Sequence, residues 1–150
     1  MSEKNYDDYL ASVEHFAVDH YSASVFFEPD VSNAIWETDD DPHITINSKQ
    51  NKRIQLYTLL HEVGHASLRA EDNYLNNYPY GKKRKNKSVS RRVDVLREEV
   101  AAWDEGRKIA EFLKIPIDDH LWHNFHKKHL FEYVKWCYDP TSYGRDIEEP

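Results

Sequence analysis

The sequence predicts one α+β domain over residues 1–150, mostly helical, with about four helices and a small antiparallel three-stranded sheet packed by the second helix. Three observations predict it. Apolar residues recur at helical spacing in four separated stretches. Three short runs rich in β-branched and aromatic residues, each bounded by turn chemistry, fall between the first stretch and the second. The composition, 39% hydrophobic and 13% aromatic over 150 residues, suffices for one buried core.

The first helix is read over about residues 4–20, where Tyr6, Leu10, Val13, Phe16 and Ala17 share a face. "SVFFEP", "NAIWET" and "HITIN" follow as a meander, separated by "EPDVSN" and "TDDDPH" and ending at Asn47. A second helix starts near Ser48 and runs through "KQNKRIQLYTLLHEVGHASLRA". Residues 71–90 break every periodicity and read as a long basic loop. The third helix is "RRVDVLREEVAAWDEGRKIAEFL", stopped before Pro116, and the fourth spans roughly Asp118–Cys137. Residues 138–150 read as a loosely held tail.

The second helix carries the chemistry. At 100° per residue, Ile54, Tyr57, Thr58, His61, Gly64, His65 and Leu68 fall on one stripe. His61 and His65 are one turn apart, with Cβ atoms about 5–6 Å from each other, so both rings can reach one ion. Glu62 lies about 100° round, within reach of a water on that ion, where the glutamate of an H-E-x-x-H helix acts as general base. Leu59, Leu60 and Val63 make the rest of the helix apolar. Burying two imidazoles and a carboxylate without partners would cost several kcal/mol, and a cation supplies the partner.

The third helix offers the missing ligand. Val95, Glu99, Ala102, Trp103, Gly106, Ala110 and Leu113 form one face, with Glu99 its single carboxylate. Ala102 and Gly106 there, and Gly64 opposite, permit a close helix crossing. Glu98 is the weaker candidate, on the flank. His61, His65 and Glu99 make a catalytic zinc set for one Zn2+, with a fourth position left for water or substrate. A third histidine ligand in the extended H-E-x-x-H motif is excluded, since Leu68 and Glu71 stand where Gly and His are required.

"ITINSKQNKRIQLYTLLHEVGH" resembles the ImmA/IrrE-type metallopeptidase domain family, in which a strand ending in Asn leads into an Arg-containing helix with H-E-[ILV]-G-H. The family's downstream zinc-binding Glu is followed three residues later by Ala, as Glu99 is by Ala102. The resemblance covers about residues 43–115. It implies a zincin-like fold of the gluzincin type, zinc on His61, His65 and Glu99, and Glu62 as general base. It also implies cleavage of a protein substrate, in characterised members often a transcriptional repressor. This chain has Glu105 and Gly106 where the family often has Phe-Ala.

Other expectations are weaker. "HITIN" is the candidate edge for an extended substrate. Tyr74, Tyr78, Tyr80 and His123 are candidates to stabilise the oxyanion; Asp104 is an option for orienting the imidazoles, whereas Tyr57 and Thr58, on the histidine stripe, read as packing residues. The basic run of residues 82–92 reads as a solvated loop, with contact to nucleic acid or an acidic partner as the alternative. That alternative would make the protein a metal-stabilised binding module without catalysis. His120, His123, His126 and His129 drift around their helix and cannot share one ion. Net charge is −7, and the single cysteine, Cys137, reads as a packing residue in a reducing, cytoplasmic setting. No stretch predicts a membrane span or a signal peptide.

Overall fold

Helix α2, Lys52–Arg69, is the element on which the others are assembled. In the computed structural model, which describes residues 3–38, 41–79 and 88–141, every residue of α2 from Gln55 to Ala66 is buried. An apolar helix of this kind needs neighbours all round. It has α1 (Glu3–Tyr21) on one side, α4 (Val89–Phe112) on another, and the sheet against a third. Helix α5 (Asp119–Tyr138) lies along α4 and closes over α2, with Trp122 meeting the edges of Tyr57 and Trp103. The core joins Leu10, Val13 and Ala17 of α1 to Leu56, Leu59, Leu60 and Val63 of α2 and to Trp103 and Ala110 of α4.

Helix starts are fixed by side chains that accept from free backbone N–H groups. Asn51 accepts from the Ile54 N–H at 2.9 Å, so α2 begins at Lys52, four residues after the predicted start. Gln55 occupies the approach, donating to the carbonyls of Ser48 and Gln50. Ser88 caps α4 and Asp118 caps α5 in the same way. Helix α4 ends at Phe112 because Lys114 turns into the left-handed region (φ 59°), and the Ile115 N–H reaches back to Ala110.

The sheet differs from the antiparallel meander predicted. Strands β1 (Ser24–Glu28), β2 (Ala34–Thr38) and β3 (Asp41–Asn47) pair in the order β1-β3-β2, with β1 parallel and β2 antiparallel to β3. The reason is the burial demand of β3: Ile44, Thr45 and Ile46 are all buried, so both its edges and both its faces are covered. The link through residues 29–33 arches over the end of β3. It is held there by Thr45 Oγ1 donating to the Ser32 carbonyl (2.9 Å) and by Asn33 Oδ1 accepting from Asn47 N–H (2.8 Å). "HITIN" is therefore central and has no free edge for a substrate.

Among the described residues there are five helices, one more than predicted. The addition, α3 (Tyr74–Asn77), is a single turn inside the stretch read as loop. Tyr80, and residues 82–87 of the basic run, lie outside the described residues, as do residues 142–150 of the predicted tail. Of the run's described basic residues, Arg91 and Arg92 are 3% and 9% exposed within α4, not solvated as predicted. No helix among the described residues is long and apolar enough to cross a membrane.

Candidate metal centre

Helices α2 and α4 cross where both lack side chains. A Cβ built on Gly64 would stand 2.1 Å from the Ala102 carbonyl oxygen, and one on Gly106 would stand 2.7 Å from that of Leu60. This approach carries the carboxylate of Glu99 between the two imidazoles of α2. Its Oε2 lies 2.9 Å from His61 Nε2, and its Oε1 lies 3.1 Å from His65 Nε2. The three side chains are buried, and one ligand atom from each falls within 4.8 Å of the others. They are the only such group of three among the described residues.

The donor set fits a zinc ion. Two ligands at the usual 2.0–2.1 Å from a tetrahedral centre are roughly 3.3 Å apart, close to the spacings that Glu99 makes. Burial by itself raises the Glu99 carboxyl, but the imidazoles of His65 and His61 outweigh it and hold the acid well below its ordinary range. Burial likewise disfavours a charged His65, and Glu99 and Glu98 reverse that and raise it. Such a pocket stabilises a cation among its donors, whether protons or a metal.

Glu62, at the next position of α2, is buried beside this cluster and has no hydrogen-bond partner among the described residues. Burial raises its pKa, and Glu99 adds to that, against the opposing pull of His61 and His65. The result is a more basic carboxylate than one in water, beside a cation site.

The two histidines are held by different means. His65 turns Nδ1 to Glu98 Oε2 at 2.5 Å. Glu98 also accepts from the hydroxyl of Tyr74 and from Arg69 Nη2 at 3.3 Å. His61 instead lies flat on the indole of Trp103, with centroids 4.2 Å apart and planes 23° apart, and its Nδ1 is buried without a hydrogen-bond partner. Glu98 is thus on the outer nitrogen of His65 and not among the three inner ligands. Asp104 does not hydrogen-bond to either histidine, and Tyr57 and Thr58 pack as their place on the stripe predicts. Thr58 bonds back to the carbonyls of Ile54 and Gln55, Tyr57 packs on Trp122 and Phe125, and Asp104 is exposed.

The oxyanion candidates also sort themselves. Tyr74 is committed to Glu98, and Tyr78 lies under the Arg97 guanidinium, 5.4 Å from its ring centre. His123 is exposed and pairs with His126. Two α5 histidines approach the centre: His126 rests on Trp103, and so does His129, which also meets Phe125. The His129 ring is open to solvent on one side, yet surrounding protein lowers its pKa to about 4; His61 adds to this and Glu99 opposes it. Cys137 is half-buried; its Sγ donates to the Arg92 carbonyl and its own carbonyl accepts from Arg92 Nε, a packing role.

Comparison of the chain with protein-family models, with curated proteins and with solved structures finds no match to any of them.

Proposed function

We propose that this chain is a zinc-dependent metallopeptidase of the ImmA/IrrE type, zincin-like in fold, that hydrolyses a peptide bond in a protein substrate. The observation that carries the reading is the buried convergence of His61, His65 and Glu99 beside a carboxylate, Glu62, that has no hydrogen-bond partner among the described residues. A site that only stabilised the fold would have no use for Glu62.

His61, His65 and Glu99 would hold one Zn2+, whose contribution when bound is Lewis-acid polarisation of a carbonyl and acidification of a water. Glu62 accepts a proton from the water as its oxygen adds to the peptide carbonyl carbon. It then delivers that proton to the amine nitrogen as the C–N bond breaks. Its raised pKa suits both halves of this exchange. His129, the α5 histidine acted on by both His61 and Glu99, donates an N–H to the carbonyl oxygen as negative charge grows there. Because β3 is central, the strand for an extended substrate is β2, an edge strand against which α2 also packs.

A repressor-like regulatory protein is the substrate class that the sequence resemblance supports, and a half-buried lone cysteine suits the cytoplasm. The rival reading, a binding module with a basic surface, is weakened by the burial of Arg91 and Arg92. The test compares wild type with Glu62→Gln on a degenerate peptide library read by mass spectrometry. Wild type with one Zn2+ per chain should cleave, and the variant should keep its zinc and its fold but leave the library intact. Equal behaviour of the two proteins would overturn the proposal.

A further inference from the structure

Two successive glutamates of α4 grip one imidazole of α2 from opposite ends. Glu99 faces Nε2 of His65 at 3.1 Å, and Glu98 faces Nδ1 at 2.5 Å. Neighbouring residues on a helix point about 100° apart, and His65 lies across α4 so that this divergence brackets its ring. Glu98 is 1% exposed, among the most deeply buried side chains of the protein, although it carries a carboxylate. A carboxylate so buried is retained at a cost of several kcal/mol unless donors surround it. Three do, namely His65 Nδ1–H, the Tyr74 hydroxyl and the Arg69 guanidinium.

We propose that Glu98 is a positioning residue for the metal centre, holding His65 in the tautomer and direction that aim Nε2 at the ion, with Tyr74 and Arg69 holding Glu98 in turn. This inference rests on the metal reading above and goes beyond it, since it assigns a role to a side chain that is not a ligand. With the proton of His65 fixed on Nδ1 by Glu98, the lone pair of Nε2 is left to the inner site. Carboxylates behind a metal-binding histidine raise its basicity and restrict its rotation. The arrangement also gives α3 a purpose. A single helical turn is too short to be stable alone. Its docking on α4 is made by the Tyr74 hydroxyl on Glu98, by Arg97 donating to the Asn77 carbonyl at 3.0 Å, and by Arg97 over the ring of Tyr78. The segment that follows α2 is thereby tied to the centre through the hydrogen bond of Tyr74 to Glu98. Coupling of this kind is reciprocal: what Tyr74 adds to zinc affinity, zinc adds to the docking of α3.

The test is Zn2+ affinity, measured by competition with a chromophoric chelator, in wild type, His65→Ala, Glu98→Ala, Glu98→Gln and Tyr74→Phe. Glu98→Ala should weaken zinc binding about 10–100-fold, the range typical of such outer carboxylates. Glu98→Gln, which still accepts from Nδ1–H, should recover part of the loss. Tyr74→Phe, which removes one hydroxyl and leaves the fold intact, should cost a smaller factor, and none at all in the Glu98→Ala background. In nitrogen-resolved NMR of the zinc form, the Nδ1–H resonance of His65 should appear in wild type and exchange away in Glu98→Ala. A merely structural role for Glu98 would leave that resonance in place. Wild-type affinity and an unchanged His65 resonance in Glu98→Ala, or in Tyr74→Phe where the alanine variant does not fold, would overturn the positioning role. Zinc binding by wild type that His65→Ala does not weaken would instead overturn the metal reading.

Discussion

The carbonyl oxygen of Ala102 stands 2.1 Å from the point where a Cβ on Gly64 would be. No side chain fits there, so the separation of α2 and α4 at the centre depends on a residue that lies between the two histidines. Gly64→Ala should therefore push α4 away and take Glu99 with it. Overpacking a core by one methyl costs about 1–3 kcal/mol, and a clash with backbone belongs at the upper end. Gly106→Ala, 2.7 Å from the Leu60 carbonyl oxygen, should cost less. Thermal denaturation of the two variants should rank them in that order, with zinc affinity falling in parallel.

That crossing was readable in the sequence because it obeys helical periodicity. His61, Gly64 and His65 on one wheel, and Glu99, Ala102 and Gly106 on the other, are two faces each written by residue type. What periodicity could not supply is which strand lies in the middle of a sheet. Strand order is set by tertiary burial, and the alternation Ile44, Thr45, Ile46 gives no sign of it, because Thr45 is buried along with its apolar neighbours. The wheel puts Glu98 on the flank of its face, but only the orientation of His65 across α4 reveals that the flank reaches the outer nitrogen. The three-residue spacing of the α5 histidines does not by itself single out His129. Trp122, Phe125 and His129 recur at i, i+3 and i+7 on the face turned to Trp103, with His129 at its exposed end, and His123 does not belong to it.

Removing the metal should soften the protein without unfolding it. The apolar core joins α1, the sheet, α2, α4 and α5 through contacts that include none of the three ligands. In chelator, far-ultraviolet circular dichroism should keep its helical signal, whereas the midpoint of thermal unfolding should drop. Zinc at a hundred times its dissociation constant should contribute about 2.7 kcal/mol. Glu99→Ala should bind close to no zinc, and its midpoint should not respond to added metal. Loss of the helical signal in chelator would mark the ion as structural.

Trp103 should matter to zinc through His61 and to stability through the core. Its indole backs the His61 ring at 4.2 Å and also meets Trp122 and Phe125. Trp103→Phe leaves an aromatic face but a smaller one, so a loss of roughly 1–3 kcal/mol in stability is expected, with a several-fold loss in zinc affinity. Trp103→Ala should cost about 3–5 kcal/mol. Denaturant unfolding with and without zinc separates the two effects, because only the second depends on the ion.

His129 joins pH to both stability and rate. The groups acting on it are surrounding protein, His61 and Lys128, which lower its pKa, and Glu99, which raises it. Its folded value of about 4 is below the value near 6.5 of an imidazole in an unfolded chain. Between those two values the unfolded state binds more protons than the folded one, so stability rises with pH through that window. It should be lost progressively as pH falls from about 6.5 to about 4, modestly because the ring is open to solvent on one side. His129→Asn should flatten the acid side of a plot of unfolding free energy against pH. At neutral pH the wild-type ring is uncharged and donates through an N–H, and the same substitution should cut kcat about 10²–10³-fold, as loss of one oxyanion donor does. KM should change little, since the bond strengthens only as charge develops on the carbonyl oxygen. A variant that kept wild-type kcat while flattening the stability profile would leave His129 as a residue of the fold alone, and the oxyanion would need another donor.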